Sequence, residues 1–196
     1  MNFKQRFLKT LYPAIMFLSR ATGKKARIME DTTNSVATAS FYNFGVHLNN
    51  GSELRLETLK GKKVLLVNTA SNCGYTGQYD ELQKLSQAQQ DRLVIIAFPA
   101  NDFKEQEKGS DEDIAEFCRV NYGITFPLAK KSTVIKGNEQ NEIFKWLSTK
   151  ELNGWNDQQP TWNFSKYLVD ETGVLVKYFD PGVSPLSAEV MKAVND

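Results

Sequence analysis

The chain has few of the residues that build metal sites, disulfide frameworks or polyanion-binding surfaces. Its 196 residues include two cysteines and one histidine, and its net charge is +1 at pH 7. This set does not match the Cys/His spacing of zinc sites, and two cysteines make a poor framework for a secreted domain of this size. Without a basic stripe or a glycine-rich phosphate loop, we expect no nucleic-acid partner, no metal and no cofactor. The two cysteines are therefore interpreted as either catalytic or incidental.

The N-terminal region also lacks a hydrophobic run long enough to cross a membrane, because residues 11–18 fall far short of the roughly 20 that are needed. Apolar residues recur at helical spacing over residues 3–19, with basic ones between them. This pattern predicts an amphipathic helix that Pro13 would bend or divide. Three interpretations stay open: a signal-peptide core, a helix on a membrane surface, or a helix docked on the body. Secretion is less favoured because Arg20 suits cleavage poorly. We expect a cytoplasmic protein, either free or membrane-associated through residues 3–19.

The remaining pattern predicts one domain of the α/β class. Residues 1–39 are interpreted as the helix and a polar linker (residues 23–39), and residues 40–196 as the domain. An N-terminal β-hairpin turns at Asn49, Asn50 and Gly51. Buried strands at residues 63–67 and 92–98 enclose a helix, and an antiparallel hairpin over residues 162–179 follows. Further helices are predicted over residues 111–122, 139–147 and 185–194, with a polar loop at 153–160. The order predicts a central mixed β-sheet flanked by helices, which is the order of the thioredoxin fold.

Cys73 lies where the first buried strand gives way to the following helix. Unpaired backbone N–H groups at a helix N-terminus favour a thiolate over a thiol, so this is a suitable position for a nucleophile. Free cysteines are also among the most buried residue types, and most of them are inert. Position alone leaves both interpretations open.

Several separated motifs occur in a fixed order, and together they are far more specific than any one of them. They lie at residues 40–42, 60–71, 73–76 (Cys73-Gly74-Tyr75-Thr76), 98–101 with Gln106 and Glu107, 121–127, and 162–169 (beginning Trp162-Asn163-Phe164). From about Ser40 to the C-terminus the chain resembles the glutathione peroxidase family, in the cysteine-containing branch that often uses thioredoxin. The resemblance implies a thioredoxin-like fold and an enzyme that reduces hydroperoxides as part of the response to oxidative stress.

The family's catalytic residues fall on Cys73, Gln106, Trp162 and Asn163. A thiolate that attacks a peroxide bond needs donors that hold it ionised and stabilise the leaving oxygen, and these amides and the indole N–H are such donors. The resemblance further implies that Cys118 resolves a Cys73 sulfenic acid as an intramolecular disulfide. A thiol reductant, thioredoxin or glutathione, would then serve as co-substrate. Between Leu147 and Trp162 the chain lacks the long insertion that builds the tetramer interface in the family's animal selenium enzymes, so the resemblance implies a monomer.

Some residues depart from the family pattern, and other functions stay open. Ala100 and Asp102 replace a cysteine and a glutamine, and an inward-facing Asp102 would raise the pKa of a nearby thiol. A peroxide sensor that passes its disulfide to a partner protein is the main alternative function. A dithiol oxidoreductase is disfavoured because residues 73–76 lack a second cysteine, and a catalytically inactive binding module also remains open.

Overall fold

The computed structural model describes residues 3–21, 26–33 and 36–196, with the side chains of residues 5–16 in the first of these ranges. Residue 22, residues 23–25 and 34–35 of the predicted linker, and the Arg20 side chain named for cleavage lie outside the described part. The helices in chain order are α1 (Phe3–Ala21), α2 (Gln78–Ala88), α3 (Asp111–Tyr122), α4 (Glu142–Leu147), α5 (Lys150–Asn153) and α6 (Ala188–Asn195). The strands are β1 (Ile28–Glu30), β2 (Gly45–His47), β3 (Glu53–Arg55), β4 (Lys63–Thr69), β5 (Leu93–Pro99), β6 (Lys166–Val169) and β7 (Leu175–Phe179).

The main sheet of the described chain is mixed, as predicted, with strand order β1-β7-β6-β4-β5. Strands β4 and β5 pair in parallel, with Lys63 opposite Leu93, and α2 makes the crossover between them. Strand β6 runs antiparallel to β4, β7 to β6, and β1 to β7. Strands β2 and β3 form the predicted hairpin as a separate pair. The parallel pair places the carboxyl ends of β4 and β5 side by side, which is where ligands meet sheets of this kind.

Each face of the sheet has its own core because side chains alternate along a strand. Leu65 and Val67 face a cluster formed with α2, α3 and α6, and both cysteines belong to that cluster. Val64 and Leu66 face the other cluster, which includes the apolar side of α4. The described residues therefore form helix, sheet and helix layers, and both thiols lie on the same side of the sheet.

Several predicted boundaries were wrong. Helix α6 begins at Ala188 rather than at residue 185, because the Ser187 side chain accepts from the Val190 N–H and fixes the N-terminus there. Residues Ile28–Glu30 of the predicted linker pair with β7 and extend the sheet, because three residues of extended chain suffice to join an edge. Helix α4 begins at Glu142 rather than at residue 139, since the Asn141 side chain accepts hydrogen bonds from the Ile143 and Phe144 N–H groups and fixes the N-terminus there. The predicted loop at 153–160 is preceded by a single helical turn, α5.

A further difference concerns the segment before β6. The sequence suggested that Trp162 opens this strand, but β6 begins at Lys166, and residues 161–164 form a turn. This difference matters because a turn, unlike a strand, directs consecutive side chains toward the same place.

Helix α1 docks on the body of the protein. It continues through Pro13, which lies on its exposed side, while Tyr12 and Met16 are only 8% and 6% exposed. Tyr12 and Met16 are therefore taken up by protein contacts, as in the third of the interpretations drawn from the sequence, whereas Phe7 and Leu11 stay exposed. In the described part of the chain, no helix has both the length and the apolar character needed to cross a bilayer.

Candidate active site

The turn between β4 and α2 holds Cys73 in a fixed position. The Cys73 N–H donates to the Thr76 hydroxyl oxygen at 3.0 Å, and that hydroxyl lies 2.9 Å from the Ala70 carbonyl oxygen. The Tyr75 N–H points back at the Cys73 sulfur, 3.4 Å away. The turn thus closes around the sulfur and aims a backbone donor at it.

A second turn brings Trp162 and Asn163 to the same place. Asn68, near the end of β4, donates through its side-chain amide to the Trp162 carbonyl at 3.1 Å and accepts from the Ser165 N–H at 3.0 Å. Phe164 between them has a φ of 69°, a left-handed conformation that is rare for a residue other than glycine. A strained backbone conformation persists only where the surrounding structure stabilises it. Here the two hydrogen bonds of the Asn68 side chain stabilise the turn.

The loop after β5 carries Gln106 to the site. The Gln106 carbonyl accepts from the Asn72 N–H at 3.1 Å, so this loop is tied to the Cys73 turn. The Gln106 side-chain oxygen accepts from the Asn163 side-chain amide at 3.0 Å. Lys104 and Glu105 just before it both have left-handed backbones, with φ of 51° and 50°. Three segments that are far apart in sequence therefore meet around Cys73 and Asn163.

The electrostatics of Cys73 are set by burial and by hydrogen-bond donors acting in opposite directions. The residue is only 1% exposed, and burial raises the pKa of its thiol. The Tyr75 N–H, the Trp162 and Asn163 side chains and the Gly74 N–H act to lower that pKa. The sequence suggested that the helix N-terminus alone would favour a thiolate. In the structure Cys73 lies in the turn before α2. The loss of hydration on burial raises the pKa of its thiol by more than the hydrogen-bond donors lower it.

The structure brings together four of the residues predicted from the sequence: Cys73, Gln106, Trp162 and Asn163. They do not all act in the same way. Trp162 and Asn163 act on the sulfur itself, whereas Gln106 bonds to Asn163 and fixes its orientation. The Asn163 side-chain oxygen is buried and has no hydrogen-bond partner among the described residues.

Cys118 lies on α3, in the same buried cluster as Cys73 but with different groups acting on its sulfur. Both cysteines are free and buried. Burial raises the pKa of the Cys118 thiol to about 12, and the Glu107 carboxylate acts in the same direction. The Tyr79 hydroxyl lies close enough to lower that pKa, although it forms no well-directed hydrogen bond. The groups that act on the two sulfurs do not overlap, so each thiol has its own surroundings in the reduced protein.

Glu107 is a buried residue of this region to which the sequence analysis gave no role. It is 1% exposed, and its side chain accepts from the Ser71 hydroxyl at 3.0 Å while its N–H donates to the Asn101 side chain at 2.9 Å. Burial raises the pKa of its carboxyl to about 7. It adds a second tie between the Cys73 turn and the Gln106 loop. The one sequence feature that could have pointed to Glu107 is its position directly after Gln106 in one of the motifs.

The two departures from the family pattern turn away from the nucleophile. Asp102 accepts from the Val134 N–H at 2.8 Å, and the pKa of its own carboxyl is raised by its own burial. Ala100 is fully buried in the cluster on the other face of the sheet. Among the described residues, no group of three or more histidine, cysteine, aspartate or glutamate side chains is arranged to hold a metal ion.

Comparison with known proteins agrees with this geometry. The family model described as glutathione peroxidase matches residues 41–148. A glutathione peroxidase homolog, BsaA, from Staphylococcus epidermidis is 44% identical over 147 residues, which cover 74% of this chain and 92% of that protein. The glutathione peroxidase-like peroxiredoxin 2 of Saccharomyces cerevisiae is 42% identical over 153 residues, covering 78% of this chain and 94% of its own.

Solved structures agree as well. The crystal structure of Trgpx in apo form has a TM-score of 0.62 at 30% identity and covers 82% of this chain and 98% of its own. A DsbF homologue from Corynebacterium diphtheriae, with a TM-score of 0.59, 15% identity and coverage of 89% and 94%, is similar in fold alone. The thioredoxin-like fold expected from the sequence is thereby confirmed. The chain belongs to the glutathione peroxidase family and is a peroxidase, an oxidoreductase with a cysteine at the position of its candidate nucleophile.

Proposed function

We propose that the protein is a thiol peroxidase that reduces hydrogen peroxide and organic hydroperoxides through Cys73, resolves the product with Cys118, and is recycled by a thioredoxin-like dithiol protein. The observation that carries the proposal is the convergence of the Tyr75 N–H, Trp162 and Asn163 on the buried Cys73 sulfur. Donors from three directions around one sulfur suit a reaction in which negative charge leaves that sulfur for an oxygen beside it.

In the first step the Cys73 thiolate attacks the nearer peroxide oxygen. The O–O bond breaks, the sulfur becomes a sulfenic acid, and the other oxygen leaves as water or an alcohol after taking up a proton. Trp162 and Asn163 have two roles: they favour the thiolate before attack, and they face the charge that grows on the departing oxygen. Gln106 keeps the Asn163 amide pointed at the sulfur by accepting one of its hydrogens.

In the second step the Cys118 thiol condenses with the Cys73 sulfenic acid, forming a disulfide and releasing water. Cys118 has separate surroundings on α3, and a disulfide requires the Cα atoms to approach within about 4.4–6.8 Å. We therefore propose that α3 shifts or unwinds during turnover. Three acidic residues in its first turn and a left-handed Gly123 at its C-terminus define it as a short unit bounded at both ends.

In the third step a dithiol protein attacks the disulfide, leaves with a disulfide of its own and returns both thiols. Relatives named as peroxiredoxins, from Saccharomyces cerevisiae and Chlamydomonas reinhardtii at 42% and 40% identity, support a protein reductant over glutathione. We also propose a monomer with no cofactor, because an open surface suits a protein reductant. The alternative role as a sensor that passes on its disulfide is not favoured by these relatives.

The test is intact-mass measurement after one equivalent of hydrogen peroxide. A Cys73–Cys118 disulfide lowers the mass by two hydrogen atoms, whereas a stable sulfenic acid raises it by one oxygen. We expect the loss of hydrogens in the unaltered protein and the gain of oxygen in Cys118→Ser. The Cys118→Ser protein should still consume its first equivalent of peroxide but lose turnover with thioredoxin. Full turnover in that variant would contradict the resolving role, and unchanged peroxide consumption in Cys73→Ser would contradict the function itself.

A further inference from the structure

Helix α1 contacts both of the segments that carry the cysteines. It lies outside residues 41–148, which the family model matches, so the family resemblance gives it no role. On one side it meets the turn after Cys73 and the start of α2. On the other side it meets the C-terminal end of α3, which carries Cys118.

The contact with the Cys73 turn is close. Ile15 places its terminal methyl group 3.2 Å from the position that a Cβ would take on Gly74. The Tyr12 ring lies so near Gly77 that a Cβ there would overlap it. The Tyr12 hydroxyl donates to the Glu81 carboxylate at 2.9 Å, which fixes the ring over α2. The glycines of this turn thus leave the space that α1 occupies.

The contact with α3 is made by Lys9. Its ammonium donates to the Asn121 carbonyl oxygen at 3.1 Å and lies 4.1 Å from the centre of the Tyr122 ring. It also pairs with Asp80 of α2 at 3.1 Å. A cation at the carboxyl end of a helix is favourable because that end carries the negative pole of the helix dipole. Lys9 therefore joins the last turn of α3 to the start of α2.

We propose that α1 is a clasp that holds α3 closed in the reduced protein, and that Lys9 is the positioning residue through which it sets how readily Cys118 leaves its site. This inference rests on the proposed function, in which Cys118 must travel to Cys73. Any motion that frees Cys118 by unwinding α3 from its C-terminal end breaks the Lys9 contacts with Asn121 and Tyr122. The clasp thus opposes disulfide formation until α1 is displaced.

The first experiment displaces α1 without altering a charge. Gly77→Ala puts a methyl group into the Tyr12 ring position, while the Gly77 backbone, with φ −59° and ψ −19°, suits alanine well. Gly137→Ala is the matched control, because nothing lies within 4 Å of a Cβ at that position. The measurement is the rate of Cys73–Cys118 disulfide formation at saturating peroxide, together with amide hydrogen exchange over residues 118–122 of the reduced protein.

The second experiment alters Lys9 directly. Lys9→Glu places a carboxylate against Asp80 and the negative end of α3, and Arg6→Glu makes the same change of charge on the exposed side of α1. We expect Gly77→Ala and Lys9→Glu to speed disulfide formation about two- to ten-fold. This range corresponds to the free energy that a partly exposed ion pair and its neighbouring contacts contribute. Exchange over residues 118–122 should rise in the same two variants. Gly137→Ala and Arg6→Glu should match the unaltered protein in both measurements.

Equal rates and equal exchange in all four variants would overturn the clasp, as would slower disulfide formation in Gly77→Ala and Lys9→Glu. A merely structural role for α1 would lower the thermal stability of these variants without a selective rise in exchange at α3, and that result would also overturn the proposal. If the unaltered protein forms no Cys73–Cys118 disulfide, the proposed function fails. Amide hydrogen exchange at residues 118–122 then tests by itself whether α1 holds α3 closed.

Discussion

Glu107 should make the stability of the protein fall as the pH rises through neutrality. The carboxyl is 1% exposed, and burial raises its pKa from 4.5 to about 7, against the smaller opposing effects of Ser71 and Lys131. One pKa unit corresponds to about 1.4 kcal/mol, so ionisation of Glu107 should remove about 3 kcal/mol from the free energy of unfolding. The conservative change is Glu107→Gln, which keeps an acceptor for the Ser71 hydroxyl and removes the charge.

The sign follows from which state holds the proton more tightly. Because burial favours the neutral form, the native state binds more protons than the unfolded chain between pH 4.5 and about 7. The free energy of unfolding therefore decreases with pH over this range. The stability that Glu107 contributes is fully present below pH 4.5 and is lost once the pH passes about 7.

The assay is urea unfolding at about pH 5 and about pH 8 for three proteins. The unaltered protein should lose about 2.5 kcal/mol more than Glu107→Gln between the two conditions, because a small part of the loss already falls below pH 5. Glu116→Gln, an exposed carboxyl on α3, is the matched control and should follow the unaltered protein. Taking the difference between variants removes the contributions of other titrating groups, such as Asp102. Identical pH dependence in the unaltered protein and Glu107→Gln would refute the reasoning.

Three further predictions concern the site and its supports. Asn163→Ala should slow oxidation of Cys73 by hydrogen peroxide about a hundred-fold, measured as the rate of thiol loss, because one of the donors facing the sulfur is removed. Gly123→Ala should lower the free energy of unfolding by about 1 kcal/mol in urea, since Gly123 ends α3 with a φ of 59°. Lys166→Met should lower it by about 1–3 kcal/mol, because the side-chain nitrogen of the buried Lys166 donates to the Gln78 side chain at 3.0 Å and its removal leaves that acceptor without a donor.

The regular parts of the fold could be predicted because their signals are local. The apolar run of β4 and the helix predicted over residues 111–122 are read directly from short windows, and the structure has both. Strand β1 could not be predicted, because Ile28 to Glu30 show no alternation of their own and pair only where β7 offers a free edge. Edge pairing depends on what lies beside the segment, and a single sequence does not contain that information.

The composition of the site was predictable from family motifs, but its internal roles were not. Resemblance brought out Gln106 and Asn163 together, whereas their hydrogen bond, which separates a residue acting on the sulfur from one that orients it, appears only in three dimensions. Glu107 and Lys9 were missed for the same reason. A charged residue in a polar stretch is usually solvated, and only packing shows that Glu107 is enclosed and that Lys9 reaches α3.

Cys118 lies between two influences that act in opposite directions. Inside, the Tyr79 and Tyr122 hydroxyls are buried and have no well-formed hydrogen bond among the described residues. A buried hydroxyl without a hydrogen bond is less stable than a hydrated one by up to about 3 kcal/mol, and the nearby Thr69 and Cys118 side chains reduce this cost at Tyr79. If α3 opens, water can hydrate these hydroxyls. Opening therefore costs less free energy than it would if the helix covered only apolar groups. Outside, Lys9 contacts the Tyr122 ring and the end of α3 and favours closure. An interior that favours opening needs a restraint on its outer face, and α1 is the element placed to provide it.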